Sequence, residues 1–160
     1  MAVEIERKFL VDHEKWRQLI KPDGKHYRQG YIFSDATKTI RVRVTPEHGY
    51  ITIKGASKGI SRKEYEYTIP AQEGVELLDN FAVSELEKVR YNITFEGKLW
   101  EVDEFLGENK GLLMAEIELE HEAETFKLPD WITTEVTDDK RYYNSFLSVN
   151  PYSRWGKTGE

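Results

Sequence analysis

Seven short segments of this chain alternate apolar residues with charged ones, and this pattern narrows the fold more than any other feature. Residues two apart in a strand share a face. Glu4, Glu6 and Lys8 therefore share one face, opposite Val3, Ile5 and Phe9. Arg41 and Arg43 oppose Ile40, Val42 and Val44, while Thr52 and Lys54 oppose Ile51 and Ile53. Arg62, Glu64 and Glu66 oppose Tyr65 and Tyr67, and Lys88 and Arg90 oppose Val89 and Tyr91. Glu101 and Asp103 oppose Trp100 and Val102. Glu116, Glu118 and Glu120 oppose Ile117 and Leu119. In most segments the charges come as same-sign pairs or triplets. Like charges on one face repel unless something of opposite sign lies between them.

Eight strands are predicted: Val3 to Leu10, His26 to Phe33, Thr39 to Thr45, Tyr50 to Lys54, Arg62 to Ile69, Glu87 to Phe95, Leu99 to Phe105 and Leu112 to Glu120. They are short, rich in aromatic and β-branched residues, and bounded by turn sequences such as Glu96-Gly97-Lys98. Helical signals are fewer. Asp12 caps a short helix containing Trp16, Leu19 and Ile20, and Glu73 to Phe81 makes two turns. Glu122 to Phe126 reads as a brief helix, and Lys140 to Val149 as a terminal one. The expected fold class is mainly β, with helices packed outside an eight-stranded antiparallel barrel. Closing the sheet removes its edges.

Such a barrel would turn its apolar faces outward and its charges into the lumen, which is wide enough for side chains and one small ligand. Buried charge must be paired, metal-bound or wet. Alternation alone also fits an open sheet with a deep groove, or an amphipathic sheet with a wet outer face. The chain of 160 residues suits one domain, residues 1–150, followed by a Pro/Ser/Gly-rich tail over 151–160.

The net charge of -6 weighs against nucleic acid as a general partner. No apolar run reaches the ~18 residues of a membrane span, and the acidic start, Glu4 and Glu6, does not read as a signal peptide, so a cytoplasmic protein is expected. Cysteine is absent, and His13, His26, His48 and His121 form no zinc-like cluster.

At Glu4-Ile5-Glu6-Arg7-Lys8 the sequence resembles the ExExK signature of the CYTH, or triphosphate tunnel metalloenzyme, superfamily. The resemblance runs through Arg28-Gln29-Gly30-Tyr31, Arg41-Val42-Arg43, Lys54, Arg62 to Glu66 and Lys88-Val89-Arg90. It continues through Glu101-Val102-Asp103, Glu116 to Glu120, Glu135-Val136-Thr137 and Asp139 to Tyr142. It implies an eight-stranded antiparallel tunnel, a triphosphate ligand, Mg²⁺ or Mn²⁺ as cofactor, and phosphoanhydride chemistry; it also admits a homodimer.

By this resemblance Glu4, Glu6, Glu116 and Glu118, with Glu120 nearer the rim, are the metal carboxylates. Carboxylate oxygens suit these hard cations. Lys8, Arg41, Arg43, Lys54, Lys88 and Arg90, with Arg62 at a strand end, are the phosphate clamp. Arginine forks match paired phosphate oxygens, and lysine supplies a compact charge. Glu101 and Asp103 are candidates to hold a second metal or to orient the attacking water, and Glu64 and Glu66 to bind water or metal or to restrain the cations. No serine, threonine or cysteine stands out as a nucleophile, so direct attack by water is expected. Tyr27 is placed at the tunnel mouth, whereas Tyr31, Trp100 and Trp131 are read as packing residues.

The leading activity by resemblance is hydrolysis of inorganic tripolyphosphate to pyrophosphate and phosphate. A nucleoside or thiamine triphosphatase, a class IV-type adenylate cyclase and a non-enzymatic polyphosphate-binding module are the alternatives.

Overall fold

The strand pattern closes on itself at β1. This element (Val3–Val11) pairs with two others of the ring, and its register explains how the barrel is sealed. The structure, a computed structural model, describes residues 3–157. The other strands are β2 (Lys25–Ser34), β3 (Lys38–Val44), β4 (Gly49–Gly55), β5 (Ser61–Ile69), β6 (Ser84–Phe95), β7 (Lys98–Phe105), β8 (Leu113–Glu118) and β9 (Ile132–Glu135). The hydrogen-bonded order is β5-β4-β3-β2-β6-β7-β8-β1, and β1 returns to β5. β1 pairs with β8 through Glu6–Leu10 and with β5 through Val3–Ile5, both antiparallel. The expected eight-stranded closed barrel is therefore present.

β9 was not among the expected strands. It continues along β1 where β5 leaves off, pairing Val11 with Ile132 and Phe9 with Glu135. At four residues it carries too little alternation to register as a strand. A bidentate contact from Arg7 to Glu135, at 2.8 and 2.7 Å, pins it.

The helices depart further from expectation. α1 (His13–Gln18) is capped as predicted, with Asp12 Oδ1 accepting from the Lys15 amide at 2.9 Å. It stops before Leu19, and Ile20 is left almost wholly exposed. α2 (Ala71–Phe81) packs on β2, β3 and β4 through Gly74 and Leu78. A Cβ on Gly74 would meet Val44 Cγ2 at 2.8 Å, so the close approach requires glycine.

Residues 122–126 form a turn and extended chain instead of a helix; Phe126 packs edge-on to Trp100 and Phe9. The expected terminal helix breaks into a 3-10 turn, Lys140–Tyr142, and α3 (Asn144–Leu147). Tyr143 between them is extended, which brings its ring 4.9 Å from Lys8 Nζ. Within the segment read as a tail, Tyr152–Lys157 is a 3-10 helix, and Trp155 packs on Tyr142 and Tyr152. Residues 158–160 lie outside the described residues.

Apolar side chains occupy two places. The first cluster lies outside the barrel, where Trp100, Val102, Ala115, Ile117 and Phe9 are covered by Trp16 and Trp131. Trp100 and Trp131 are packing residues here, as expected. The second cluster contains Leu86, Phe105, Leu112, Met114, Val136 and Leu147, with Leu10 against it. Four of these continue the charged faces by strand parity: Leu10 follows Lys8, Leu86 precedes Lys88, Phe105 follows Asp103, and Met114 precedes Glu116. The lumen is thus apolar at one end and charged over the rest, and Leu147 of α3 is buried in the apolar end. Among the described residues no helix is long and apolar enough to cross a membrane.

Candidate active site

Strand parity and barrel closure bring most of the predicted residues together. Glu4, Glu6, Lys8, Arg41, Arg43, Lys54, Arg62, Glu64, Glu66, Lys88, Arg90, Glu101, Glu116 and Glu118 line one cavity of about 240 Å³. Seven are cationic and seven are carboxylates, so the lining is formally balanced. A polyanion alone would have to pull cations away from their carboxylates and leave those unpaired. A polyanion arriving with a divalent cation leaves neither set unmatched. This balance is why the donor set fits a hard metal ion together with phosphate.

The pairs are specific. Lys54 Nζ donates to Glu4 at 2.9 and 3.2 Å. Lys8 lies 3.4 Å from Glu116 and 3.9 Å from Glu6. Arg41 and Arg43 each reach Glu66 at 3.6 Å, and Glu66 also accepts from Thr52 at 2.8 Å. Glu66 therefore restrains two clamp arginines. Arg62 donates Nε to the Gly55 carbonyl at 3.0 Å and forms no carboxylate pair among the described residues.

Asp103 sits elsewhere than expected. It is 1% exposed, behind the cavity wall, and takes Arg90 at 2.8 and 2.9 Å and Lys88 at 2.8 Å. With its oxygens committed to two cations it orients the clamp; it does not face water or a second metal. Glu120 is also displaced. β8 ends at Glu118, and Glu120 is exposed beyond it, its amide donating to Glu124. Tyr31, read as packing, lines the cavity. Tyr27 lies beside Arg43 and Arg90, its ring centroid 4.8 and 5.2 Å from their guanidinium carbons.

Three further residues, Tyr143, Asn144 and Ser145, face the cavity from the C-terminal segment. Asn144 Oδ1 accepts from Lys88 Nζ at 2.8 Å and from Gln29 Nε2 at 3.1 Å. Charge parity could not find these groups, because they are neutral and lie outside the strands. The open end is carboxylate-rich: Glu66 and Glu101 side chains are about one third exposed, while Lys88 at the other end is 2% exposed.

The electrostatics separate the carboxylates. Burial, Glu116 and Glu4 push the Glu6 carboxyl up to about 8, against the pull of Lys54 and Lys8. Burial and Glu4 also raise Glu64, and burial, Glu4 and Glu64 raise Glu118. Glu116 goes the other way: burial opposes its charge, but Lys8 and Arg90 hold it below the usual range. Burial with Arg41 and Arg90 pulls Arg43 down to about 10. Crowded carboxylates that resist ionisation mark a place short of positive charge. Among the described residues no three acidic or histidine groups converge into a closed metal cage. Mg²⁺ keeps water and substrate oxygens in its shell, so one or two carboxylates per ion suffice.

Comparison with known proteins decides the family. The CYTH domain profile matches residues 2–145. The chain belongs to the CYTH domain family. It is 54% identical over 156 residues to an inorganic triphosphatase of Acetivibrio thermocellus, covering 97% of this chain and 99% of that protein. It is 35% identical over 155 residues to an inorganic triphosphatase of Nitrosomonas europaea, covering 92% and 97%. A crystal structure of an inorganic triphosphatase superposes with a TM-score of 0.63 at 33% identity, covering 93% of this chain and 96% of that one. The barrel, whose charged face followed from parity and whose closure the resemblance implied, is thus the CYTH fold.

Proposed function

We propose that this CYTH protein is an inorganic triphosphatase that hydrolyses tripolyphosphate to pyrophosphate and phosphate with Mg²⁺ or Mn²⁺. The observation carrying this reading is the balanced lining of seven cations and seven carboxylates in one cavity. The chain is also 54% identical, over nearly its whole length, to a protein named an inorganic triphosphatase. Glu4, Glu6, Glu116 and Glu118 are the groups assigned to the metal. When bound, the ion supplies charge neutralisation on phosphate oxygens and fixes their orientation.

The protein's own groups do the rest. Lys8, Arg41, Arg43, Lys54, Lys88 and Arg90 hold the phosphate chain, with Arg62 at the margin. Glu66 and Asp103 keep the arginines aimed inward. Water enters at the open end, beside Glu64 and Glu101. Its oxygen bonds to a terminal phosphorus as the bridging P–O bond breaks in line, and pyrophosphate leaves. Glu64 takes the water proton, its affinity for protons raised by burial and Glu4. The clamp cations neutralise charge on the transferring and leaving groups.

A panel of tripolyphosphate, pyrophosphate, ATP and thiamine triphosphate, each with Mg²⁺, Mn²⁺ or no metal, tests the reading. Metal-dependent release of phosphate and pyrophosphate, fastest from tripolyphosphate, is expected. Tight binding without turnover, or cyclic nucleotide from ATP, overturns it. Glu4→Gln and Glu118→Gln should raise the metal concentration needed, and Arg41→Ala should impair binding or turnover of tripolyphosphate.

A further inference from the structure

Across the inner wall of the barrel, aromatic rings and guanidiniums alternate. β4, β3, β2 and β6 are neighbours in that order. Tyr50 of β4 is directly opposite Arg43 of β3. Tyr27 of β2 is diagonal to Arg43 on one side and to Arg90 of β6 on the other, since Gln29 opposes Arg43 and Lys25 opposes Arg90. The guanidinium of Arg43 is 4.8 Å from the Tyr27 ring and 5.5 Å from the Tyr50 ring, and that of Arg90 is 5.2 Å from Tyr27.

Arg43 needs this support. Its Nε is buried without a hydrogen-bond partner, and its carboxylate contact, Glu66, is 3.6 Å away and shared with Arg41. Burial, Arg41 and Arg90 all act against its charge. A ring face is attracted to a cation while carrying no net charge. A carboxylate partner competes with an incoming phosphate for the same N–H groups; a ring face does not. Glu66, the carboxylate contact of Arg43, can therefore be displaced on binding while the ring contacts persist.

We propose that Tyr27 is a positioning residue that holds Arg43 and Arg90 against the cavity wall, at a fixed spacing, before and after a phosphate chain binds. This rests on the reading of the cavity as a phosphate-chain site, but not on turnover. The chemistry used is the ring, so the hydroxyl is dispensable.

The test measures tripolyphosphate binding to the full chain without metal, by calorimetry, for Tyr27→Leu and Tyr27→Phe. Removing one desolvated cation–ring pair is expected to weaken binding roughly tenfold in Tyr27→Leu, with Tyr27→Phe restoring affinity to within about twofold. Wild-type affinity in Tyr27→Leu, or equal loss in both variants, overturns the proposal. If Tyr27→Leu fails to fold, arginine side-chain NMR of the wild type decides. Ring-current shifts on the Arg43 and Arg90 Nε–H signals should survive saturation with tripolyphosphate, and their collapse overturns the proposal. If wild type binds tripolyphosphate but does not hydrolyse it, the proposed activity fails while this inference stands.

Discussion

The two ends of one lumen are built on opposite principles. In the charged part, Lys8, Lys54, Arg41 and Arg43 lean on Glu116, Glu4 and Glu66 at distances from 2.9 to 3.6 Å, while Glu6 and Glu64 in the same lining resist ionisation. In the apolar part, Leu86, Phe105, Met114 and Leu147 pack with almost no exposure. β1, β6, β7 and β8 supply residues to both, two positions apart, as in Lys8 and Leu10 or Glu116 and Met114. Charges crowded out of water oppose folding unless each is matched, whereas apolar burial favours it. The apolar end therefore stabilises the barrel and closes it, and the charged end is free to be organised for a ligand.

Asp103 stands on the border, and its removal should break the comparison most severely. It is the main counter-charge of Arg90 and Lys88. Asp103→Ala leaves two cations buried with weaker partners and should cost roughly 3–5 kcal/mol of stability in urea unfolding. The same variant should bind tripolyphosphate poorly, because the clamp loses its aim. Unchanged stability would mean that Asp103 is not the anchor.

Leu147→Ala tests the apolar end alone. Leu147 is fully buried, and its truncation should lower stability by about 3 kcal/mol. At a temperature where the variant is folded, kcat/KM should stay within about threefold of wild type, less than 1 kcal/mol of transition-state stabilisation. A large loss of kcat/KM without a fall in stability would show that the two ends are not separable.

This division was half legible in the sequence. Period-two alternation located the charged face because same-sign neighbours such as Arg41 and Arg43 repel unless an opposite charge lies between them. Closure was not legible, since it depends on three residue pairs between β1 and β5 that no local pattern encodes. The apolar end was written in the same parity, at Leu10, Leu86, Phe105 and Met114, but apolar residues on a lumen face look like ordinary core when charge is the signal followed. Asp103 shared the face of Glu101, yet parity gives a direction and not a depth: the register sets Asp103 opposite Arg90, which captures it. The break at Tyr143 was hidden because Lys140 to Val149 has helical spacing, and the contact with Lys8 made by an extended residue there is tertiary.

Acidity sharpens the border further. Burial pulls Lys88 down to about 8, with Asp103 acting against the shift. From there up to the ordinary lysine range the unfolded chain holds this proton and the folded chain does not, so this group makes stability rise with pH in that window. Phosphate binding has the opposite sign, because the neutral amine is a poorer partner. Lys88→Arg stays charged. The ratio of wild-type to Lys88→Arg affinity for tripolyphosphate should fall about threefold to tenfold between pH 7 and 9 as the wild-type lysine loses its charge. Comparing the two proteins cancels the ligand's own titration, and a flat ratio would place the Lys88 proton outside this range.

The smallest expected effect is at the latch between the two ends. Asn144 belongs to α3, the same helix that buries Leu147, yet its side chain accepts from Lys88 at 2.8 Å and Gln29 at 3.1 Å. It therefore couples the apolar closure to a clamp lysine through neutral hydrogen bonds. Asn144→Ala removes both bonds and should lower stability by about 1 kcal/mol. Lys88 keeps Asp103, so kcat should hold while KM for tripolyphosphate rises about threefold to fivefold, again near 1 kcal/mol. Asn144→Asp separates position from charge: it preserves the acceptor to Lys88 but adds an anion facing the phosphates, and should raise KM more than alanine does. If alanine raises KM more than aspartate, the latch works through electrostatic pairing with Lys88 and not through the neutral contact the structure shows.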